Sequence, residues 1–246
     1  MISTMRRTAA LLAGGALVLG LAACGGNITD TKTSPGASES GDIILGMLTP
    51  LSGSSAAVGP TMKNAAQLAV DEINKGGGVL GRQLKLVAED EGCDPKTAAA
   101  GAAKLVSAGV KVSVGGFCSS ATLPTLTIFG KQTIPMIIPA ANSNDLVKDK
   151  LKNVFLINGT GAQQAAAAVK FIKASGVKSV ALADDNTSYS KDITTRSAEL
   201  LKGDGAVSIA SQQSVTAGES DYGSAVTQII RSNAEFVYWT GYYQEG

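Results

Sequence analysis

The sequence predicts an α/β protein made of two doubly wound, Rossmann-like lobes with a ligand cleft between them, the second lobe incomplete. Three observations carry that prediction. From residue 43 onward, short β-branched runs alternate with longer segments whose apolar residues recur at helical spacing. The alternation restarts near Asn153, which divides the chain into two similar halves. A lobe of ordinary size takes about 100–150 residues, and only about 90 follow Asn153.

The elements follow in order. Arg6 and Arg7 precede an apolar stretch, 9–23, that is too short and too rich in Gly and Ala to span a bilayer, so 1–23 reads as a secretion signal. The order Leu21-Ala22-Ala23-Cys24-Gly25 resembles the bacterial lipoprotein box, which makes Cys24 the lipidated residue after cleavage. A conventional signal peptide with an incidental cysteine is the alternative. Residues 24–41 are mostly Gly, Ser, Thr and Asp and form a flexible tether.

The first lobe, 42–152, has strands at 43–48, 83–88, 110–114 and 134–139. Helices lie between them: 60–74, opened by Pro60 and stopped by Gly76-Gly77-Gly78; a segment from Asp94-Pro95 to about Ala108; and 121–129. The second lobe, 153–246, has strands at 154–157, 177–183, 207–210 and 236–239. Its helices are at 162–175, from about Lys191 to Leu201, and at 222–232.

Parallel sheets of this kind bind ligands beyond the carboxyl ends of their strands. The loops 51–59, 117–120, 140–143, 184–190 and 240–244 fall there. In one of them, 110–114 runs into Gly115-Gly116-Phe117-Cys118-Ser119-Ser120 at a helix start. Ser119 and Ser120 could cap that helix, or the helix end could hold a small anion through its free N–H groups.

Composition narrows the chemistry. There is no histidine, which removes Ser-His-Asp and Cys-His catalysis and imidazole metal ligation. A net charge of +1 without a Lys/Arg run argues against nucleic acid. The run Gly76-Gly77-Gly78-Val79-Leu80-Gly81 matches a dinucleotide fingerprint only formally, because it follows a helix and precedes a strand. Glu89, Asp90, Glu91 and Asp94 lack the spacing of a calcium loop and read as a solvated strand end and helix cap. Asp184-Asp185 reads as a turn. No catalytic residue, metal or cofactor is expected. With Cys24 assigned to lipid, Cys93 and Cys118 are left to pair in an oxidising compartment, two free thiols being the alternative.

The motifs Thr49-Pro50-Leu51-Ser52-Gly53, Asp71-Glu72-Ile73-Asn74, Asp94-Pro95-Lys96, Cys118-Ser119-Ser120, Thr216 to Tyr222 and Gly241-Tyr242-Tyr243 occur in one order. In these the chain resembles the type I solute-binding proteins of ABC transporters, in the branched-chain amino acid (Leu/Ile/Val) family. The resemblance implies a Cys93–Cys118 disulfide and a ligand α-carboxylate held at Ser119. It also implies that Ala140, Ala141 and Asn142 supply groups to the α-carboxylate and α-amine, and that Tyr189 and Tyr242 close over the ligand from the second lobe. Asn142 stands where the family usually has threonine, Val58 where an aromatic often shields the ligand side chain, and Ser190 where glycine is common. A smaller Val58 changes the wall that reads the side chain, which leaves amides, urea-like solutes and other amino acids open.

The function so implied is an exported lipoprotein at the outer face of the cytoplasmic membrane or in the periplasm. It captures a small polar solute, in this family an amino acid of the branched-chain type, and delivers it to an ABC permease. The alternative is a receptor domain of the same fold that reports ligand to a signalling partner.

Overall fold

The computed structural model describes residues 41–246; the stretch 1–23 expected to be a signal, Cys24 and nearly all of the expected tether lie outside the described residues. Among the described residues, eight strands form two parallel sheets and six α-helices connect them. In chain order they are β1 (Ile43–Thr49), α1 (Gly59–Lys75), β2 (Leu84–Asp90), α2 (Pro95–Ser107), β3 (Val112–Ser113), α3 (Ser119–Lys131) and β4 (Met136–Ile138). These are followed by β5 (Val154–Leu156), α4 (Gly161–Ala174), β6 (Ser179–Asp184), α5 (Ser188–Asp204), β7 (Ser208–Ser214), α6 (Gly223–Arg231) and β8 (Phe236–Trp239).

The first sheet has the order β2-β1-β3-β4-β5 and the second β7-β6-β8. In each, the chain starts near the middle and winds outward both ways, which brings the carboxyl ends of the central strands to one side. β1 pairs along its whole length with β2, from Ile43 opposite Leu84 to Thr49 opposite Asp90. β3 is shorter than the expected 110–114, yet its backbone bonds run on: the Val114 N–H donates to Gly46 O and the Gly116 N–H to Leu48 O, at 2.8 and 2.9 Å.

One boundary is corrected. The strand assigned by sequence to the second lobe, β5, adds to the edge of the first sheet, Met136 opposite Val154 and Ile138 opposite Leu156. The segment before it is no crossover helix but a single 3-10 turn, Asn144–Leu146, whose Leu146 is buried in the first core. The connection, residues 139–153, returns the chain beside β4 in parallel, and Val154 and Leu156 pack on that same core.

Leu48, Leu105, Phe129, Met136 and Ile138 centre the first core; Val169, Ile172, Val180, Leu182 and Leu201 centre the second. Caps are local and strong. Asp94 accepts the Thr97 N–H ahead of α2, Thr160 and Gln163 make a reciprocal capping box on α4, and Gly205 ends α5 in the left-handed region.

Candidate ligand-binding cleft

The site begins where β3 hands over to α3. A Cβ on Gly115 would lie 2.3 Å from Leu48 O, and Gly116 has φ +113°, so only glycines let this turn pass so close to β1. Beyond them, the Phe117 and Cys118 N–H groups donate to the carboxylate of Glu91, at 2.8 Å for Cys118, and Cys118 is disulfide-bonded to Cys93. Glu91 is fully buried, and burial pushes its pKa up to about 7, against the pull of those two amides. The acidic cluster read as solvated is therefore split: Asp94 is the exposed cap, while Glu91 is an internal tie.

Ser119 does a different job from the one its position suggests. It opens α3, whose cap residue is Cys118 with no side-chain capping bond, so neither serine is the cap. Its buried Oγ accepts the Asn142 and Ser143 N–H groups, both at 3.2 Å. That ties the helix to the loop after β4. The loop is further held by the Ala141 N–H on Gly116 O, by Asn158 Nδ2 donating to Ala140 O, and by the Gly161 N–H on Asn142 O.

The second lobe supplies the facing wall. Asp185, buried at the end of β6, accepts from the Thr187 N–H and hydroxyl, from the Ser190 hydroxyl, and through Oδ2 from the Tyr242 N–H at 2.9 Å. One carboxylate so fixes both tyrosine-bearing segments. Tyr189 is not in a loop, as the expected 184–190 stretch had it: Thr187 caps α5, and Tyr189 lies in its first turn.

A cavity of about 290 Å³ lies between these walls, lined by Phe117, Ala140 and Asn142 from the first lobe and Tyr189, Gly241, Tyr242 and Tyr243 from the second. The rings of Tyr189 and Tyr242 are 5.2 Å apart and those of Phe117 and Tyr242 6.1 Å, and Gln244 Nε2 donates across the mouth to Ser54 O. Burial, and next the charge of Asp185, hold the Tyr242 phenol protonated well above its ordinary range. No lining side chain carries a charge, a nucleophilic thiol or a base, so the cavity is suited to holding a solute by amide, hydroxyl and backbone groups against aromatic walls.

The structure brings Ala140, Asn142, Tyr189 and Tyr242 together and leaves three expected residues out of the lining. Ser119 and Ala141 are buried behind the loop, and half-buried Val58 stands at the start of α1. Phe117, Gly241 and Tyr243 also line the cavity; all three lie in the expected loops 117–120 and 240–244 but were not singled out as site residues. Among the described residues one cluster has metal-ligating types, Glu91, Cys93 and Cys118, and its sulfurs are spent in the disulfide. A larger groove of about 550 Å³ between α4 and α5 is lined by one lobe alone and bounded by the Lys173–Asp204 ion pair.

A family model described as periplasmic binding protein matches residues 42–245. The Leu/Ile/Val-binding protein BraC3 of Rhizobium johnstonii is 34% identical over 206 residues, which are 83% of this chain and 56% of that protein. The Leu/Ile/Val-binding protein of Escherichia coli K12 is 32% identical over 205 residues, 83% of this chain and 56% of its own. The chain thus spans a little over half the length of the curated relatives it matches. Among solved structures, the branched-chain amino acid transporter substrate-binding protein LivJ of Streptococcus pneumoniae, in complex with isoleucine, superimposes with a TM-score of 0.75 at 29% identity, covering 83% of this chain and 58% of LivJ. A solute-binding protein of R. palustris in complex with benzoate shares the fold at 21% identity, TM-score 0.74, covering 81% of this chain and 55% of its own. With a family model matching from the first strand to the last residues of the second lobe, this chain belongs to the periplasmic binding protein family.

Proposed function

We propose that the chain is the binding portion of an exported solute-binding protein that captures an amino acid of the branched-chain type and delivers it to an ABC permease. The observation that carries this is the two-walled cavity: Ala140 and Asn142 at strand ends of one lobe face Tyr189 and Tyr242 of the other. Relatives named as Leu/Ile/Val-binding proteins and the isoleucine complex of LivJ support the ligand class. Polar contacts to the α-amine and α-carboxylate come from the 140–142 loop, while Ser119 acts by holding that loop against α3. Binding, with hinge closure of the lobes, is the whole of the chemistry; no covalent step is needed. Export through segment 1–23 and a lipid on Cys24 would keep the domain at the membrane face near its permease.

Thermal unfolding of the chain with millimolar leucine, isoleucine, valine, acetamide, urea or 4-hydroxybenzoate tests this. A ligand at about 1,000 times its dissociation constant adds roughly 4 kcal/mol. The expected result is a shift by the branched-chain amino acids alone. A shift by urea or the benzoate alone, or a cooperative transition that nothing moves, would sink the reading.

A further inference from the structure

Asn142 offers a ligand two different faces, because a carboxamide carries both a carbonyl acceptor and an NH₂ donor, and a half-turn exchanges them. The residue that decides between them is Gln164, in the first turns of α4 and so on the second-lobe side of the crossing at 158–160. Asn142 Nδ2 donates to Gln164 Oε1 at 2.9 Å. Gln164 Nε2 in turn donates to the Tyr189 hydroxyl at 3.3 Å. The two bonds run in one direction, from the first-lobe loop through α4 to the first turn of α5.

That direction has a consequence at each end. At the first, Asn142 Oδ1 is left buried and, among the described residues, without a hydrogen-bond partner, in a side chain only 8% exposed that lines the cavity. A buried acceptor in that state is costly until a donor reaches it. At the second, the Tyr189 oxygen accepts from Gln164, so its own proton is free to donate. The cavity is therefore lined by one side chain whose acceptor is unspent, enclosed just beneath the surface, and by another whose hydroxyl can donate.

We propose that Gln164 is a positioning residue of this cavity: by fixing the Asn142 carboxamide with its carbonyl unpaired and orienting the Tyr189 hydroxyl, it selects solutes that carry an N–H donor together with an acceptor, and disfavours acids lacking the amine. The inference rests on the amino-acid reading of the cavity and names the residue that enforces it. Gln164 itself does not line the cavity and acts through the two residues that do. Its neighbour Gln163 is already used in the capping box, so the adjacent glutamines divide between building α4 and arming the site.

The test is calorimetric titration of the intact chain and its variants with L-leucine and with 4-methylpentanoate, the same carbon skeleton without the amine. The unsubstituted chain should prefer leucine by about 100-fold or more. Gln164→Met keeps the length of the side chain and removes both hydrogen bonds. It should cut that preference about tenfold or more through weaker leucine binding, leaving affinity for the acid nearly unchanged. Gln164→Glu still accepts from Asn142 Nδ2 but takes the Tyr189 hydroxyl proton instead of donating to that oxygen, so it should keep the Asn142 part of the preference and lose the Tyr189 part, falling between the unsubstituted chain and Gln164→Met. Gln164→Ala reads the same point should the methionine variant not fold. An unchanged leucine preference in folded Gln164→Met, or an equal loss for both ligands, would overturn the positioning role while leaving the amino-acid reading intact. Failure of the unsubstituted chain to bind leucine at all would overturn that reading, and this inference with it.

Discussion

The two lobes repeat one strand–helix unit, but they bury it to different depths. In the first, β1, β3 and β4 each have a strand on either side, and Leu105 of α2 and Phe129 of α3 are wholly enclosed. In the second, only β6 is so placed. Its run Val180-Ala181-Leu182-Ala183 is buried throughout, whereas β7 alternates half-buried with exposed positions and Val237 on β8 is 50% exposed. α6 makes the contrast sharpest: its apolar residues recur at helical spacing, yet none is buried, and Ile230 is 69% exposed. An amphipathic pattern marks where an element forms, and packed neighbours supply most of its stability.

That difference can be broken or sharpened experimentally, beginning with the largest expected effect. Phe129→Ala empties a fully enclosed site and should cost about 4 kcal/mol by denaturant unfolding. A cost as small as that of an α6 substitution would remove the distinction between the lobes. Cys93→Ser with Cys118→Ser opens a link spanning 25 residues and should cost about 3 kcal/mol, measured against the oxidised chain. The loss should fall on the first lobe, seen as faster amide exchange in α2 and α3 than in α4 and α5.

Glu91 adds a pH dependence to the first lobe. Its folded pKa, about 7, lies above its ordinary value of 4.5, so the fold favours the protonated acid. The contribution is fully present below pH 4.5, declines as pH rises toward 7, and is lost above it, an effect of about 3 kcal/mol in all. Denaturant midpoints across that window should fall less steeply in Glu91→Gln. A variant with the same slope would show that another group carries the dependence. Smallest of all, Ile230→Ser on α6 should change stability by no more than about 0.5 kcal/mol. A loss of several kcal/mol would mean that this helix face is covered in solution.

Much of this architecture was legible in the residues themselves. Periodicity marked each α-helix and strand to within a few positions, and Asp94 stands where its capping geometry requires. Rules for open parallel sheets put the site loops at strand carboxyl ends, and within those loops the family resemblance singled out Ala140, Asn142, Tyr189 and Tyr242, which line the cavity. These features depend on neighbours a few residues apart, which a sequence displays directly. What only the tertiary structure decided depends on partners far along the chain. β5 joined the first sheet, where Val154 and Leu156 pack on the first core beside β4. Ser119 became a tie to a loop 23 residues away, Glu91 an internal anchor for amides 26 and 27 residues on, and Gln164 a bridge between Asn142 and Tyr189. A polar side chain offers the same hydrogen bonds wherever it sits; which of them it makes is set by the groups that folding brings within 3 Å or so.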